Sequence, residues 1–208
     1  MIRKIGFTGV GAILVVILFF ISICSVIHHI KCINFSYPLE YREGVVQYWV
    51  NCFVDEKPLY PKIGEEPPYI HNPYGPLYFI IAGIFQKLLP EKHTFFAPRL
   101  VSFLTLLITC LFIFKIIRSR CACLMAGLLG ATFFLCSPVS INYGSLGIVD
   151  IVALGLGFAG LYAVTGKTKI GFLFSGIFCS GAFLTKLIFM LPGISIFIAI
   201  LLAKEKEK

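Results

Sequence analysis

The feature that most constrains the fold of this chain is a series of long apolar runs that contain no charged residue. A membrane-spanning helix needs roughly 20 mainly apolar residues, and six runs come near that length: Ile5–Ile27, Leu100–Phe114, Cys121–Phe134, Ile151–Thr165, Ile170–Thr185 and Leu187–Ala203. Hydrophobic residues make up 58% of the 208 positions and the mean hydropathy is +0.92, outside the range of soluble proteins. The sequence therefore predicts an all-α, polytopic membrane helix bundle with about six spans.

The basic residues predict how this bundle is oriented, because Lys and Arg accumulate in cytoplasmic connections. Arg3 and Lys4 precede the first run and no small-residue cleavage site follows it, so we interpret it as an uncleaved span. The basic clusters at 115–120, 167–169 and 204–208 fall on the same side if the six runs cross alternately. Both termini are then cytoplasmic. Residues 1–208 form one membrane domain, with a large outer loop at 28–99 and five further spans within 100–203.

The predicted outer loop contains most of the carboxylates of the chain. Seven of the ten acidic residues lie in it: Glu40, Glu43, Asp55, Glu56, Glu65, Glu66 and Glu91. The segment Glu40–Phe53 predicts a helix whose apolar face is formed by Tyr41, Val45, Tyr48 and Trp49. The apolar segment Pro76–Gln86 is only about half a span long. If it crossed the membrane, the basic cluster at 115–120 would be outside, so we predict an interfacial or re-entrant helix on the outer side.

Charge and cysteine content exclude some functions and leave others open. The net charge is +8, but the basic residues are spread over short connections, which does not indicate nucleic-acid binding. Most of the eight cysteines lie in or beside apolar runs. Cys32 and Cys52 lie in the outer loop and could pair in an oxidising compartment. The Cys121-x-Cys123 motif has no further ligand beside it, so no metal site is predicted there.

Two isolated charges interrupt the apolar half of the sequence on the predicted outer side. Asp150 stands at the start of one run, and Lys186 is the only charge between Lys169 and Lys204. Charged residues in such positions are costly unless they are partnered, and they often mark functional sites. Asp150 could orient an acceptor, assist a base, help to bind a divalent ion, or only cap a helix. Lys186 could hold a phosphate or extend to the interface as an anchor.

The polar segments also carry a recognisable order of motifs. An acidic YREG segment is followed by DEKPLY at 55–60 and HNPYGPLY at 71–78, Arg99 opens the next span, and the later elements SPVSINYGSLGIVD and LTK end at Asp150 and Lys186. This order resembles the N-terminal half of membrane glycosyltransferases of the GT-C superfamily. The most similar types are bacterial relatives of the lipid-A aminoarabinose transferases and the protein O-mannosyltransferases. Two departures are a Glu where many relatives have Asp in the first loop, and Gly75 where the family often has Pro.

The resemblance implies transfer of a sugar from a polyprenyl-phosphate donor to a lipid, glycan or protein acceptor at the outer face of a bacterial inner membrane. It implies Glu43 as the general base, with Glu40 as the alternative, and Asp150 as a catalytic companion. The implied substrate-binding residues are Lys186 and Arg99 for the donor phosphate, and His71 and Tyr74 around the sugar. Each of these side chains could instead have only a surface or structural role. No cofactor is implied with certainty, and a divalent metal remains open.

A second hypothesis follows from the length of the chain. Enzymes of this type usually continue through several more spans, whereas this sequence ends after six apolar runs. It could therefore be a truncated, non-catalytic membrane scaffold or subunit derived from the family, with a partner chain that supplies the missing spans. A transporter is less favoured, because no charged or Gly/Pro-broken pair lies at mid-membrane in matched halves.

Overall fold

The structure is a computed structural model that describes residues 9–61 and 71–205. Within these ranges the chain forms nine α-helices, one short 3-10 helix and no strand, which confirms the predicted all-α fold. The elements are α1 Gly9–Ile33, α2 Tyr41–Val54, α3 Leu77–Leu88, α4 Phe96–Cys121, α5 Leu124–Leu135, α6 Pro138–Tyr143, α7 Val149–Thr165, α8 Lys169–Thr185, the 3-10 helix Leu187–Phe189 and α9 Met190–Glu205. The predicted orientation and charge distribution depend in part on residues that lie outside the described ranges, namely Arg3, Lys4, Glu65, Glu66 and the end of the charged tail.

The predicted apolar runs correspond to helices of unequal length. Two segments are long and apolar enough to cross a membrane, namely Val15–Ile33 within α1 and the whole of α4. Helices α7 and α8 have 17 residues each, which corresponds to about 25 Å against a hydrocarbon core of about 30 Å. Helix α5 has only 12 residues and rises about 18 Å, too little to cross unaided. The number of six spans therefore stays a prediction.

Helix α7 lies at the centre of the bundle and packs closely against both α4 and α8. Two glycines of α7 allow this approach. A Cβ atom at Gly155 would lie 2.4 Å from the Cγ2 atom of Thr105 in α4, and one at Gly160 would lie 2.8 Å from the Sγ atom of Cys179 in α8. Small residues at helix contacts let backbones approach each other, which is how helices associate without a hydrophobic driving force in lipid. This packing fixes the first turn of α7 relative to the end of α8.

Helices α2 and α3 form a small layer against one end of α4. The buried face of α2 consists of Glu43, Val46, Gln47, Trp49, Val50 and Cys52, and it packs on Tyr78, Phe79 and Ala82 of α3. The predicted apolar face was wrong at Tyr41, which is exposed, because the buried stripe begins with the charged Glu43. Helix α3 agrees closely with the short helix that was predicted over Pro76–Gln86.

The polar loops lie at the end of the bundle where α2 and α3 pack against α4. His29, in the last two turns of α1, is fully buried, and its Nδ1 atom lies 3.0 Å from the Oγ atom of Ser145 in the segment before α7. The opposite end is marked by Lys115 of α4, whose Nζ atom lies 5.4 Å from the centre of the Tyr162 ring. The disulfide bond between Cys32 and Cys52, which the sequence left as a possibility, is not formed in the structure, since both thiols are free.

Candidate functional site

The two isolated charges of the apolar half meet at the polar end of the bundle. The Nζ atom of Lys186 lies 2.5 Å from the Oδ1 atom of Asp150, and the two side chains are 26% and 30% exposed. Asp150 lies in the first turn of α7, where the helix dipole favours a negative charge. The alternative that it caps the helix is wrong, because the N-cap residue is Ile148. Lys186 has an extended backbone (φ −154°, ψ 122°) that separates α8 from the 3-10 helix.

Tyr74 borders this ion pair, since its ring centre lies 5.9 Å from the Nζ atom of Lys186. The loop before α3 is held in place by Gly75, whose N–H group donates a 3.2 Å hydrogen bond to the carbonyl oxygen of Thr185. A Cβ atom at Gly75 would lie 1.9 Å from the carbonyl oxygen of Leu184. This contact explains the departure from the family pattern, because proline would add bulk here and remove the donor. The side chain of His71 is exposed and forms no hydrogen bond within the described residues.

Two further residues of this region were not predicted from the sequence. The Nε atom of Arg42 donates a 3.0 Å hydrogen bond to Glu40, and its guanidinium carbon lies 5.4 Å from the centre of the Tyr143 ring. The hydrogen bond that Arg42 donates to Glu40 and, more weakly, the charge of Asp150 raise the pKa of Arg42 above its ordinary value. Arg42 and Glu40 of the α2 end therefore join Asp150, Lys186 and Tyr74 in one group, here called the polar cluster. The position of Arg42 two residues after the acidic N-cap residue Glu40 was the only local signal.

Glu43 lies beneath this cluster in a fully buried ion pair with Arg99. The Nε and Nη2 atoms of Arg99 each donate a 2.8 Å hydrogen bond to the two carboxylate oxygens. Backbone N–H groups of Leu39 and Gly147 donate two more, at 2.8 and 2.7 Å. Burial alone would raise the pKa of Glu43, but these hydrogen bonds and the charge of Arg99 outweigh it and lower that pKa. An enclosed, ionised carboxylate of this kind does not suit the predicted role of a base that contacts the acceptor.

The guanidinium group of Arg99 also has all of its hydrogen-bond donors occupied. Besides the two bonds to Glu43, its Nη1 atom donates to the carbonyl oxygens of Cys32 and Phe35, and its Nη2 atom donates to that of Tyr37. A guanidinium group has five N–H donors, and all five are used. The geometry therefore does not suit the predicted role of Arg99 as a ligand of the donor phosphate.

The buried pair is nevertheless close to Asp150. Gly147, which donates to Glu43, stands three residues before Asp150. Because consecutive Cα atoms are 3.8 Å apart, the Cα atom of Asp150 lies within about 11 Å of that of Gly147. A Cβ atom at Gly147 would lie 2.9 Å from the Cβ atom of Pro98, so the segment runs tightly against the start of α4. Glu43 thus holds the backbone that leads into the first turn of α7.

Residues 71–208 match the sequence profile of a protein family, described as dolichyl-phosphate-mannose-protein mannosyltransferase, over more than half of the chain. The chain belongs to this mannosyltransferase family. The match confirms the resemblance to GT-C membrane glycosyltransferases that the order of motifs predicted. The matched part of the chain contains Tyr74, Asp150 and Lys186, whereas Glu40 and Glu43 precede it. No curated protein and no solved structure matches the sequence.

The sequence left open whether the protein binds a divalent metal. Within residues 9–61 and 71–205, no group of three or more His, Cys, Asp or Glu side chains lies together in a way that could hold a metal ion. The cation beside the carboxylate of Asp150 is the ammonium group of Lys186.

Proposed function

We propose that this protein is a glycosyltransferase that moves a sugar from a polyprenyl-phosphate donor to an acceptor at the outer face of a bacterial inner membrane. The observation that carries the proposal is the partly exposed pair of Asp150 and Lys186, which the fold brings together beside Tyr74 from the first turn of α7 and the residue that follows α8. Membership of a mannosyltransferase family supports glycosyl transfer of the GT-C type. A multi-pass arrangement with both termini in the cytoplasm belongs to the same proposal.

Lys186 is proposed to bind the phosphate of the donor. Its ammonium group is partly exposed and is bound by one carboxylate, so an incoming phosphate can replace that partner. The phosphate gains negative charge as its bond to the sugar breaks, and a fixed cation stabilises that charge in the transition state. The extended backbone at Lys186 lets the side chain leave the end of α8 and reach the first turn of α7.

Asp150 is proposed to act as the general base once the donor phosphate has taken Lys186. The acceptor oxygen then attacks the anomeric carbon, its proton passes to the carboxylate of Asp150, and the electron pair of the broken C–O bond stays on the phosphate. A base must reach the proton that it takes, and the carboxylate of Asp150 is partly exposed. Glu40 is the other partly exposed carboxylate of the cluster and remains the alternative base.

The neighbouring side chains fit a sugar site around this pair. The ring of Tyr74 lies beside Lys186, where it could cover the apolar face of a sugar whose phosphate is bound to that lysine. Arg42 lies against the ring of Tyr143 and is close enough to Asp150 to interact with its charge, which suits Arg42 and Tyr143 to contact the acceptor. His71 is exposed three residues before Tyr74 and is proposed to contact the sugar from that loop. Glu43 and Arg99 are assigned a positioning role beneath the site.

The test is mannose transfer from labelled polyprenyl-phosphate mannose in membranes that contain the wild-type protein or a variant. Asp150→Asn should lower the rate of transfer by about 10²–10⁴-fold, the usual contribution of a positioned general base. Lys186→Met should weaken donor binding and also slow the transfer. Lys169→Gln is the matched control, because Lys169 lies at the opposite end of α8, and its activity should equal that of the wild type.

The result that would contradict the proposal is wild-type activity in both Asp150→Asn and Lys186→Met. A wild-type protein that binds the labelled donor without transferring the sugar would support the non-catalytic scaffold instead.

A further inference from the structure

The segment 35–41, here called the strap, exposes four large apolar side chains next to the polar cluster. The exposed fractions are 46% for Phe35, 70% for Tyr37, 42% for Leu39 and 84% for Tyr41. These side chains occur at every second residue, whereas Glu40 between them turns towards Arg42. A contiguous group of large apolar side chains on a surface marks a place that another apolar phase covers.

The backbone of the strap is turned in the opposite direction, towards the buried ion pair. The carbonyl oxygens of Phe35 and Tyr37 accept hydrogen bonds from Arg99, and the N–H group of Leu39 donates to Glu43. A surface loop in water would not need such internal partners, because water satisfies its polar groups. A segment that enters a lipid environment does need them, since an unsatisfied backbone group there costs several kcal/mol.

The position of the strap in the chain indicates what covers it. The strap follows α1 by one residue, and the segment Val15–Ile33 of α1 is long and apolar enough to cross a membrane. The strap therefore begins where this span ends. Tyrosine is enriched at that level of a membrane, where its ring can lie in the acyl region while its hydroxyl group stays at the headgroups. Lys31 in the last turn of α1 is exposed and can contact lipid phosphates.

We propose that the strap is a lipid-binding surface whose four exposed side chains insert into the boundary between headgroups and acyl chains, in the leaflet where α1 ends. Arg99 and Glu43 hold its backbone so that the side chains point outwards together. The strap leads directly into Arg42, which borders the polar cluster. Insertion of the strap fixes that cluster at the level of the lipid phosphates.

Tryptophan fluorescence in reconstituted vesicles tests this proposal without any need for enzymatic activity. Trp49 is the only tryptophan and is buried, so Trp49→Phe provides the background. Tyr37→Trp and, separately, Tyr41→Trp then report on the strap. Lys57→Trp is the control, because the side chain of Lys57 is 64% exposed and is paired with Asp55 in a charged turn.

The expected result is that lipids brominated near the headgroup end of the acyl chain quench the emission at positions 37 and 41 more strongly than lipids brominated near the methyl end. Iodide in the aqueous phase should quench the emission at position 57 and leave the two strap positions largely unaffected. The proposal is overturned if iodide quenches all three positions equally and brominated lipids quench none of them. Two independent strap positions keep the test decisive if one variant fails to fold.

Discussion

Arg99 and Glu43 lie 56 positions apart in the sequence and form a fully buried ion pair with two hydrogen bonds of 2.8 Å. Through their remaining hydrogen bonds they connect the end of α1, the strap, α2 and the segment before α7. A buried ion pair is weak evidence of net stability, because removing two charges from water is costly. Removal of one partner alone is far more costly, since it leaves an uncompensated buried charge.

The first prediction follows from that asymmetry. Arg99→Met should lower the free energy of unfolding by about 3–5 kcal/mol, because the carboxylate of Glu43 stays buried without its cation. The double variant Glu43→Leu/Arg99→Met should lose clearly less than the sum of the two single variants. Denaturation of the purified protein in detergent micelles measures these differences. Arg42→Met is the matched control, because Arg42 is partly exposed. Strictly additive losses would show that the two side chains do not act as a pair.

The second prediction concerns acid. The folded protein holds the pKa of Glu43 below its ordinary value, so this carboxylate binds its proton more readily in the unfolded chain. The stability that it contributes is complete above the ordinary glutamate pKa of about 4.3 and is lost as the pH falls from there through the lowered pKa. The difference in stability between wild type and Glu43→Gln should therefore shrink as the pH falls below about 4. Thermal melts of both proteins between neutral and acidic pH measure it, and a constant difference would contradict the prediction.

The third prediction concerns the contact between the loop before α3 and the end of α8. Gly75→Ala should destabilise the protein by about 1–3 kcal/mol, the usual cost of overpacking, because its methyl group would collide with the backbone of Leu184. Gly176→Ala is the control, since a Cβ atom there has no neighbour within 4 Å and alanine favours a helix. It should be neutral or stabilising. Thermal unfolding of the two variants measures the difference. Equal changes in stability for Gly75→Ala and Gly176→Ala would mean that the contact at Gly75 is unimportant.

The sequence predicted the elements whose signals are local. Uncharged runs marked the helices, and the alternation of basic clusters placed Asp150 and Lys186 on the same side of the membrane, where the structure joins them. The short apolar segment before the second span was also predicted as the helix that became α3. These features depend on composition over ten or more residues, which is readable without knowledge of the tertiary contacts.

The features that could not be predicted depend on contacts between distant residues. Nothing near Glu43 or Arg99 in the sequence indicates that each is the buried partner of the other. Sequence periodicity also placed Tyr41 on the apolar face of α2, because it cannot anticipate that the buried stripe will begin with a charged residue, Glu43. The need for glycine at position 75 arises from a close approach of two backbone segments. Such an approach leaves no trace in the neighbouring residues.

The last prediction separates a functional role of Asp150 and Lys186 from a structural one. Their ion pair is partly exposed, and pairs of that kind contribute only about 0.2–1 kcal/mol to stability. Asp150→Asn and Lys186→Met should therefore unfold at nearly the wild-type denaturant concentration while their sugar transfer is strongly reduced. Arg99→Met should instead show a large loss of stability, because it removes the partner of a buried charge. To compare the Asp150–Lys186 pair with the Glu43–Arg99 pair, unfolding and sugar transfer from polyprenyl-phosphate mannose are measured on the same preparations. If Asp150→Asn lost stability as much as Arg99→Met does, the loss of transfer in the former could be attributed to unfolding, and the proposed base would need to be sought at Glu40.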